Sequence, residues 1–269
     1  MKQSKKILFI SQEIFPYVAE TPMSNICRQL PQSVQEVGYE TRTFMPKFGN
    51  VNERRNQLHE VIRLSGMNLI IDDIDHPLII KVASIQLARM QIYFIDNEDY
   101  FKHRGMLVDT DGNEYEDNDE RSIFYVRGVL ETVKKLRWTP DVILCQGVIS
   151  ALAPLYIKKA YNDDPFFKDS KVIYSVFDDE FKSPFRNDFA TKLCIEGVEE
   201  SDIAAIKDKA VDFEMLTKLA IDYSDATMQS SPKINEKILE YMRSNGKPFS
   251  PYTSEEENIK RHIDFFNNL

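Results

Sequence analysis

The opening stretch of the chain carries a strand–helix–strand pattern, and this pattern constrains the fold more than any other feature. The β-branched run Lys6–Ser11 (KILFIS) predicts a buried strand. Apolar residues then recur at spacings of three and four, which predicts an amphipathic helix that ends at Gly38 and that kinks or restarts at Pro31. Tyr39–Met45 predicts a second strand. Together these elements predict a βαβ unit with parallel strands and a right-handed crossover.

The rest of the chain continues this pattern and adds a β-rich part. Short β runs between residues 59 and 96 have no helix between them, which predicts an antiparallel or mixed extension of the sheet, or a β-rich insertion. The later predicted elements are a helix from Asp119 capped by Asn118 or Asp119, a strand at Asp141–Cys145, a helix over 150–161, a strand at Lys171–Phe177, helices within 199–221, a strand at Thr227–Gln229 and a helix opened by Ser231 and Pro232. The predicted fold class is α/β, with a Rossmann-like, doubly wound, mostly parallel sheet. We expect one domain at residues 1–250 and a polar tail at 251–269.

Charge and cysteine usage exclude several classes of function. The net charge is −9 and no block of Lys or Arg stands out, so nucleic acid is not an expected partner. Cys27, Cys145 and Cys194 lie far apart without a CxxC pair, so we expect neither a disulfide framework nor a zinc site. No apolar segment is long enough for a signal-peptide core or a membrane span, so we expect a cytoplasmic protein without a membrane partner. The segment DTDGNE lacks the glycine spacing of a calcium loop and predicts a turn.

Six segments resemble, in order, motifs of the bacterial glycogen synthases and plant starch synthases that use ADP-glucose. They are KILFISQEIFPYV, VGYETRTFMPKFG, IYFIDNEDYF, DNDERSIFYVRGVLE, RWTPDVILCQGVISALAPLYIK and IDYSDATMQSSPKINEKI. The resemblance covers nearly the whole chain and corresponds to the N-terminal catalytic half of these enzymes. It implies one half of a GT-B fold, with the middle β runs as an insertion. It also implies a family activity, the transfer of glucose from ADP-glucose to an α-1,4-glucan.

The motifs that would bind the nucleotide are altered in this chain. The family's K-T-G-G loop is replaced by Ala19, Glu20, Thr21 and Pro22, so a lysine and two glycines are missing and an acid is added. A negative charge repels a diphosphate, and proline removes an N–H donor from the helix start. The family's His and Asp run becomes residues 144–149 (LCQGVI), and its third site becomes 175–178 (SVFD). None of the four histidines occupies these positions; they are His59, His76, His103 and His262.

These departures lead to two hypotheses about function. In the first, the chain is an enzyme of the glucan synthase type that acts with a separately encoded partner domain or retains weak donor binding. Alone it is expected to transfer glucose weakly or not at all, because its nucleotide-binding motifs are altered and the family's C-terminal donor domain is missing from it. In the second, it is a non-catalytic glucan-binding, regulatory or scaffold protein. We predict no catalytic residue, cofactor or metal. The partners implied are an α-glucan, a weakly bound sugar nucleotide or a protein. The candidate substrate-binding residues, expected in a cleft at the strand ends, are Ser11, Glu13, Tyr17, Gln146 and Asp178.

Three features allow more than one interpretation. The acidic run 178–180 (DDE) could be a cation site or a new polar site, or a solvated loop. Tyr17, Trp138 and the pair at 166–167 could stack on a sugar, or they could be core aromatics. Ser11 could contact a ligand or cap a local turn.

Overall fold

The computed structural model describes residues 4–253 and 255–269. Within those residues the chain forms ten strands and eight α-helices. The strands are β1 Lys6–Ser11, β2 Glu40–Pro46, β3 His59–Glu60, β4 Met67–Ile71, β5 Ile74–Ile85, β6 Met90–Asp96, β7 Val142–Gln146, β8 Lys171–Val176, β9 Ala226–Gln229 and β10 Phe249–Ser250. The helices are α1 Pro22–Glu36, α2 Glu98–Phe101, α3 Asn118–Lys135, α4 Ala153–Lys158, α5 Phe189–Leu193, α6 Phe213–Tyr223, α7 Glu236–Ser244 and α8 Glu255–Asn267.

The strands form one mostly parallel sheet with β1 near its centre. The order is β10-β9-β8-β7-β1-β2-β6-β5-β3, and β4 pairs with β5 outside this path. All neighbours from β10 to β6 are parallel, whereas β5 pairs antiparallel with β6, β3 and β4. The predicted α/β class is therefore confirmed, and the predicted β-rich insertion is the antiparallel end of the sheet.

Helices cover both faces of the sheet, as the doubly wound prediction requires. One face packs the alternating residues Leu8 and Ile10 of β1 against α3 and α4 in the larger apolar cluster. The opposite face packs Ile7 and Phe9 against α1 and against Phe266 of α8. Because side chains alternate along a strand, one short apolar run supplies both layers. Helix α8 lies in the predicted polar tail, and the division of the chain at residue 250 stays a prediction.

Several predicted helix boundaries were wrong. Helix α1 continues through Pro31, which is buried on its apolar face, so the predicted restart does not occur. Helix α3 begins at Asn118, and Asp117 occupies its N-cap without a side-chain hydrogen bond. Helix α7 begins at Glu236 rather than at Pro232, because Asn235 caps it by accepting hydrogen bonds from two backbone N–H groups.

The remaining helices also differ in part from the prediction. The helix predicted over 150–161 is a 3-10 turn followed by the short α4. Residues 109–114 form the predicted turn, in which Asp109 accepts hydrogen bonds from the N–H groups of Asp111 and Asn113. Across residues 4–253 and 255–269, no helix has both the length and the apolar character needed to cross a bilayer.

Candidate functional site

The carboxyl ends of β1, β7 and β8 meet at one edge of the sheet, where parallel sheets commonly hold ligands. Register pairs Ser11 with Gln146 and Gln146 with Ser175. The Ser11 hydroxyl donates to Gln146 Oε1 at 2.7 Å, and both side chains are fully buried. These two predicted residues are therefore brought together, but as a polar layer beneath the surface.

Above this layer lies a cleft of about 550 Å³, which we call the strand-end cleft. Its lining is made of polar and charged residues together with apolar ones: Gln12, Glu13, Thr21, Asp178, Asp179, Glu180, Ser231, Lys233, Pro22, Met23, Met106, Leu107, Phe177 and Pro232. Four of these side chains are acidic and one is a lysine. The predicted residues Glu13 and Asp178 thus lie at the cleft.

The start of helix α1 is closed by the chain's own groups. Thr21 is the N-cap, and a capping box joins it to Ser24, with both N–H to side-chain bonds at 2.9 Å. Pro22 occupies the first helical turn and has no N–H. The buried Glu13 carboxylate accepts the Thr21 hydroxyl hydrogen bond. Burial raises the pKa of Glu13, although hydrogen bonds from Thr21 and the Ser24 backbone oppose that rise. A carboxylate of the protein therefore lies where helices commonly bind phosphate.

The acid that the sequence assigned to this position, Glu20, lies elsewhere. It is exposed, and its Oε1 accepts a hydrogen bond from Asn25 Nδ2 at 3.0 Å. The turn that precedes α1 directs Glu20 away from the cleft, since it is not among the lining residues. Glu20 therefore precedes the N-cap of α1 without lining the cleft, whereas Glu13 lines it.

Asp179 is the second carboxyl group with an unusual environment. Its Oδ2 accepts a hydrogen bond from the Val148 backbone N–H at 2.6 Å. Burial raises the pKa of Asp179 to about 7, and the negative charge of Glu13 adds to this. Its neighbours in the acidic run, Asp178 and Glu180, are exposed at the cleft rim. Near neutral pH the Asp179 carboxyl group is therefore present in both its neutral and its charged form.

The acidic run does not build a metal centre. Among the described residues, no three His, Cys, Asp or Glu side chains are arranged to hold a metal ion. The Asp178 backbone N–H instead donates to Ser231 Oγ at 3.2 Å, and Glu180 accepts from Asn235 Nδ2 at 3.3 Å. The run is a polar rim that joins the loop after β8 to the loop after β9.

The aromatic residues considered for sugar stacking are mostly core residues. Tyr17 is buried, and its ring meets Phe94 edge to face with centroids 4.9 Å apart. Trp138 is buried and donates from Nε1 to Glu40 Oε1 at 2.7 Å. Phe167 is buried against Tyr161, and Phe166 packs at the edge of the same cluster. Tyr17 therefore lies below the cleft, not in its wall.

Sequence reasoning missed Gln12, which shapes the base of the cleft. Its Oε1 accepts a hydrogen bond from the Ile149 backbone at 3.1 Å. Gly147 follows β7 with φ +85°, and a Cβ at that position would lie 2.8 Å from Gln12 atoms. The glycine directly after a buried strand was the available signal, since it marks a backbone position that side chains do not tolerate.

A second, adjoining hollow of about 850 Å³ shares Glu180 with the cleft and continues between residues 108–118 and 180–186. Its two walls are held together by ion pairs and hydrogen bonds. Arg186 donates from Nε and Nη2 to the buried Asp119 carboxylate at 2.9 and 2.6 Å. Glu114 accepts from the backbone N–H groups of Lys182 and Ser183 at 2.8 and 2.6 Å. The loop after β8, which carries the acidic rim, is thus fixed to the start of α3.

The fold and the position of the cleft define a class: an α/β domain of the GT-B glycosyltransferase type, with a candidate site at the carboxyl ends of its parallel strands. The profile described as the starch synthase catalytic domain matches residues 6–247. The chain therefore belongs to the starch synthase catalytic domain family.

Relatives by sequence are glycogen synthases. The chain is 36% identical over 176 residues to the glycogen synthase of Chlorobium luteolum, a match that covers 65% of this chain and 36% of that protein. It is 29% identical over 238 residues to the glycogen synthase of Chlorobium phaeovibrioides, covering 88% and 48%. The chain thus spans less than half the length of these relatives.

A solved structure has the same fold. The catalytic domain of starch synthase IV from Arabidopsis thaliana, bound to ADP and acarbose, superposes with a TM-score of 0.74 at 15% identity. The match covers 92% of this chain and 51% of that one. The predicted resemblance to glycogen and starch synthases is confirmed, as is the GT-B class of fold.

Proposed function

We propose that this domain binds a neutral α-glucan at the strand-end cleft and does not by itself transfer glucose from ADP-glucose. The observation that carries the proposal is the position of Glu13. Its buried carboxylate lies at the start of α1 and accepts the Thr21 hydroxyl hydrogen bond, so the helix end is already paired with an anion. Candidate ligand contacts are Glu13 and Asp178 in the cleft, with Ser11, Tyr17 and Gln146 supporting it from below.

Electrostatics argue against a diphosphate in this cleft. Two like unit charges about 4 Å apart repel by about 1 kcal/mol in water and about 4 kcal/mol near a protein surface. Four carboxyl groups line the cleft, of which Asp179 is part-protonated near neutral pH, and Lys233 is the one cation among the lining residues. Two of the N–H positions that a helix start commonly offers to a phosphate are lost in α1, because Pro22 lacks an N–H and the Ser24 N–H is bonded to Thr21.

The same lining suits an uncharged sugar chain. Carboxylates accept hydrogen bonds from hydroxyl groups, and such bonds are stronger than those between neutral groups. The half-buried Met106 and Leu107 supply apolar surface against which the faces of pyranose rings can pack. The Arabidopsis starch synthase IV domain was solved with ADP and acarbose bound. In our proposal this chain retains a saccharide site of that general kind and has lost the nucleotide site.

Glucosyl transfer is the second candidate, and membership in the starch synthase family favours it. A regulatory or scaffold role with a protein partner is compatible with the first proposal, since a bound glucan would then recruit this domain to the polymer. Turnover and binding measurements separate these candidates.

The test is calorimetry with ADP, ADP-glucose and maltooligosaccharides, alongside a turnover assay with labelled ADP-glucose and a glucan primer. We expect saturable binding of maltooligosaccharides, no saturable binding of ADP at micromolar concentrations, and no measurable transfer. Micromolar ADP binding, or turnover within a few hundredfold of an active synthase, would refute the proposal.

Two matched variants of α1 sharpen this test. Glu13→Gln removes the negative charge at the helix start, and we expect it to increase affinity for ADP. Glu36→Gln removes one negative charge from the exposed opposite end of the same helix, and we expect it to change nothing. An equal effect of both variants would show that only the net charge of the protein matters.

A further inference from the structure

Arg121 is fully buried on α3, and its charged guanidinium is bonded to neutral groups. Among the described residues it has no carboxylate within ion-pair distance, and its guanidinium donates four hydrogen bonds to neutral oxygens. Nε donates to the Tyr100 carbonyl at 2.9 Å, Nη1 to the Met106 carbonyl at 2.5 Å and to Asn118 Oδ1 at 2.7 Å, and Nη2 to the Gly105 carbonyl at 2.7 Å. The aromatic rings of Phe48, Phe101 and Tyr115 surround it at 4.8 to 5.8 Å.

Burying a guanidinium without a carboxylate partner is unfavourable, and burial lowers the pKa of Arg121 to about 10. The guanidinium group fixes the directions of its hydrogen bonds. A planar guanidinium holds its donors in a fixed fork, which a lysine or a neutral amide cannot reproduce. Three of its four bonds go to backbone carbonyls, so the residue fixes the path of the chain from Tyr100 to Met106.

That path leads directly into the strand-end cleft. Met106, whose carbonyl Arg121 holds, and Leu107 both line the cleft. The Leu107 carbonyl accepts from Asn118 Nδ2 at 2.8 Å, and Asn118 is itself a partner of Arg121. The turn is also tight, since a Cβ at Gly105 would lie 2.5 Å from the Val108 carbonyl oxygen. Five hydrogen bonds hold the backbone of residues 105–107 in this wall: two come from Arg121, one from Asn118, and two involve Tyr115. Arg121 is therefore the largest single side-chain donor to the wall.

We propose that Arg121 is a positioning residue that holds residues 105–107 as the wall of the strand-end cleft and so sets the affinity of the cleft for its ligand. It contacts no ligand itself. The part of this proposal that concerns affinity rests on the proposed glucan binding, whereas the part that concerns the wall does not. The experiment is chosen to measure the two parts separately.

The test replaces the side chain and then returns its missing group. Arg121→Ala leaves a space with the shape of a guanidinium, lined by carbonyl oxygens and aromatic rings. We would add guanidinium chloride at about 10 mM, far below the molar concentrations that unfold proteins. Amide hydrogen exchange of residues 104–108 reports the wall without any ligand, and calorimetry with maltoheptaose reports affinity. Val133→Ala, at a fully buried site near the other end of α3, is the control for general loss of stability.

We expect exchange at residues 104–108 to rise about tenfold more in Arg121→Ala than in Val133→Ala at matched global stability, and guanidinium to reverse that rise only in the first variant. We expect maltoheptaose affinity to fall about tenfold and to be restored in parallel. Equal exchange in both variants, or no restoration by guanidinium, would overturn the proposal. If Arg121→Ala does not fold, Arg121→Lys takes its place, with faster exchange at 104–108 supporting the proposal and unchanged exchange overturning it. If the wild type binds no maltoheptaose, the proposed function fails while the exchange result still decides the role of Arg121.

Discussion

Asp179 should make the stability of the domain fall as pH rises towards neutrality. Its carboxyl group is half-buried beside Glu13 and accepts a hydrogen bond from the Val148 N–H at 2.6 Å. Burial raises its pKa from 3.8 to about 7. Asp179→Asn keeps an oxygen to accept the Val148 bond and removes the charge, so the variant isolates the electrostatic cost of ionising this residue.

The sign and size of the effect follow from proton linkage. Between pH 3.8 and about 7 the folded state holds a proton that the unfolded state has released, so stability falls as pH rises through this range and the full cost remains above it. The whole pKa difference corresponds to about 4 kcal/mol. Because the side chain is half-buried and partly screened by water, we expect ionisation of Asp179 to lower the free energy of unfolding by about 2 kcal/mol. Asp179→Asn should therefore match the wild type near pH 4 and exceed it by that amount at pH 8.

Urea denaturation of both proteins at intervals between pH 4.5 and 8 measures this difference directly. Asp178→Asn is the control, because Asp178 is the exposed neighbour, and its effect should stay within about 0.5 kcal/mol at every pH. A difference between Asp179→Asn and wild type that is constant with pH would refute the reasoning. A variant less stable than the wild type at pH 8 would show that the charged form is favoured in the fold.

Three further predictions concern single residues. Gly147→Ala should destabilise the domain by about 1–3 kcal/mol in urea denaturation, because φ is +85° and a Cβ would lie 2.8 Å from Gln12. The control Gly246→Ala, with φ +77° and no atom within 4 Å of the added Cβ, should destabilise the domain less. Equal destabilisation by both variants would contradict the steric argument. His262 is buried with both ring nitrogens lacking partners among the described residues, and its pKa falls to about 3, so protonation of the unfolded chain below pH 6.5 should destabilise the fold. By pH 4.5 the wild type should lose about 3 kcal/mol relative to His262→Leu, and parallel pH profiles would contradict this. Thr21→Ala should cost about 1 kcal/mol in thermal or urea unfolding through loss of the α1 cap, and an unchanged stability would show that Glu13 caps the helix alone.

The sheet was predictable because its signals are local. The run KILFIS places apolar side chains on both faces, and only a strand covered by helices on both sides buries all of them. The antiparallel insertion was likewise visible as β runs without helices. Helix boundaries were predicted wrongly where a side-chain cap or packing outweighs helix propensity. One example is Asn235, which caps α7 at a position after Pro232, the residue predicted to open that helix. The restart predicted at Pro31 does not occur, because the buried face of α1 holds the helix together; the alternative, a kink at Pro31, stays a prediction.

The candidate site was predictable only in its location. The predicted strand ends indicated Ser11, Gln146 and the acidic run 178–180 as site residues, and the structure brings these segments together. How deeply each side chain is buried was not predictable. Whether a polar side chain faces solvent or a neighbouring strand depends on the register of the strands, and here the Ser11 hydroxyl donates a hydrogen bond to Gln146 Oε1 at 2.7 Å. The sequence also did not show which of two acids bonds the N-cap of α1: Glu13 accepts the Thr21 hydroxyl hydrogen bond, whereas Glu20 accepts one from Asn25.

The Glu13→Gln variant should recover nucleotide affinity only in part, because three other features also oppose phosphate binding in the strand-end cleft. Removing one charge should increase ADP affinity by about tenfold, which corresponds to about 1.4 kcal/mol. Pro22 still lacks an N–H, and the capping box still occupies the Ser24 N–H. The acids at residues 178–180 also remain. Calorimetry with ADP, with Glu36→Gln as the control, decides the matter. Micromolar binding by the single variant would mean that charge alone excludes the nucleotide, and an unchanged affinity would mean that Glu13 is not the excluding group.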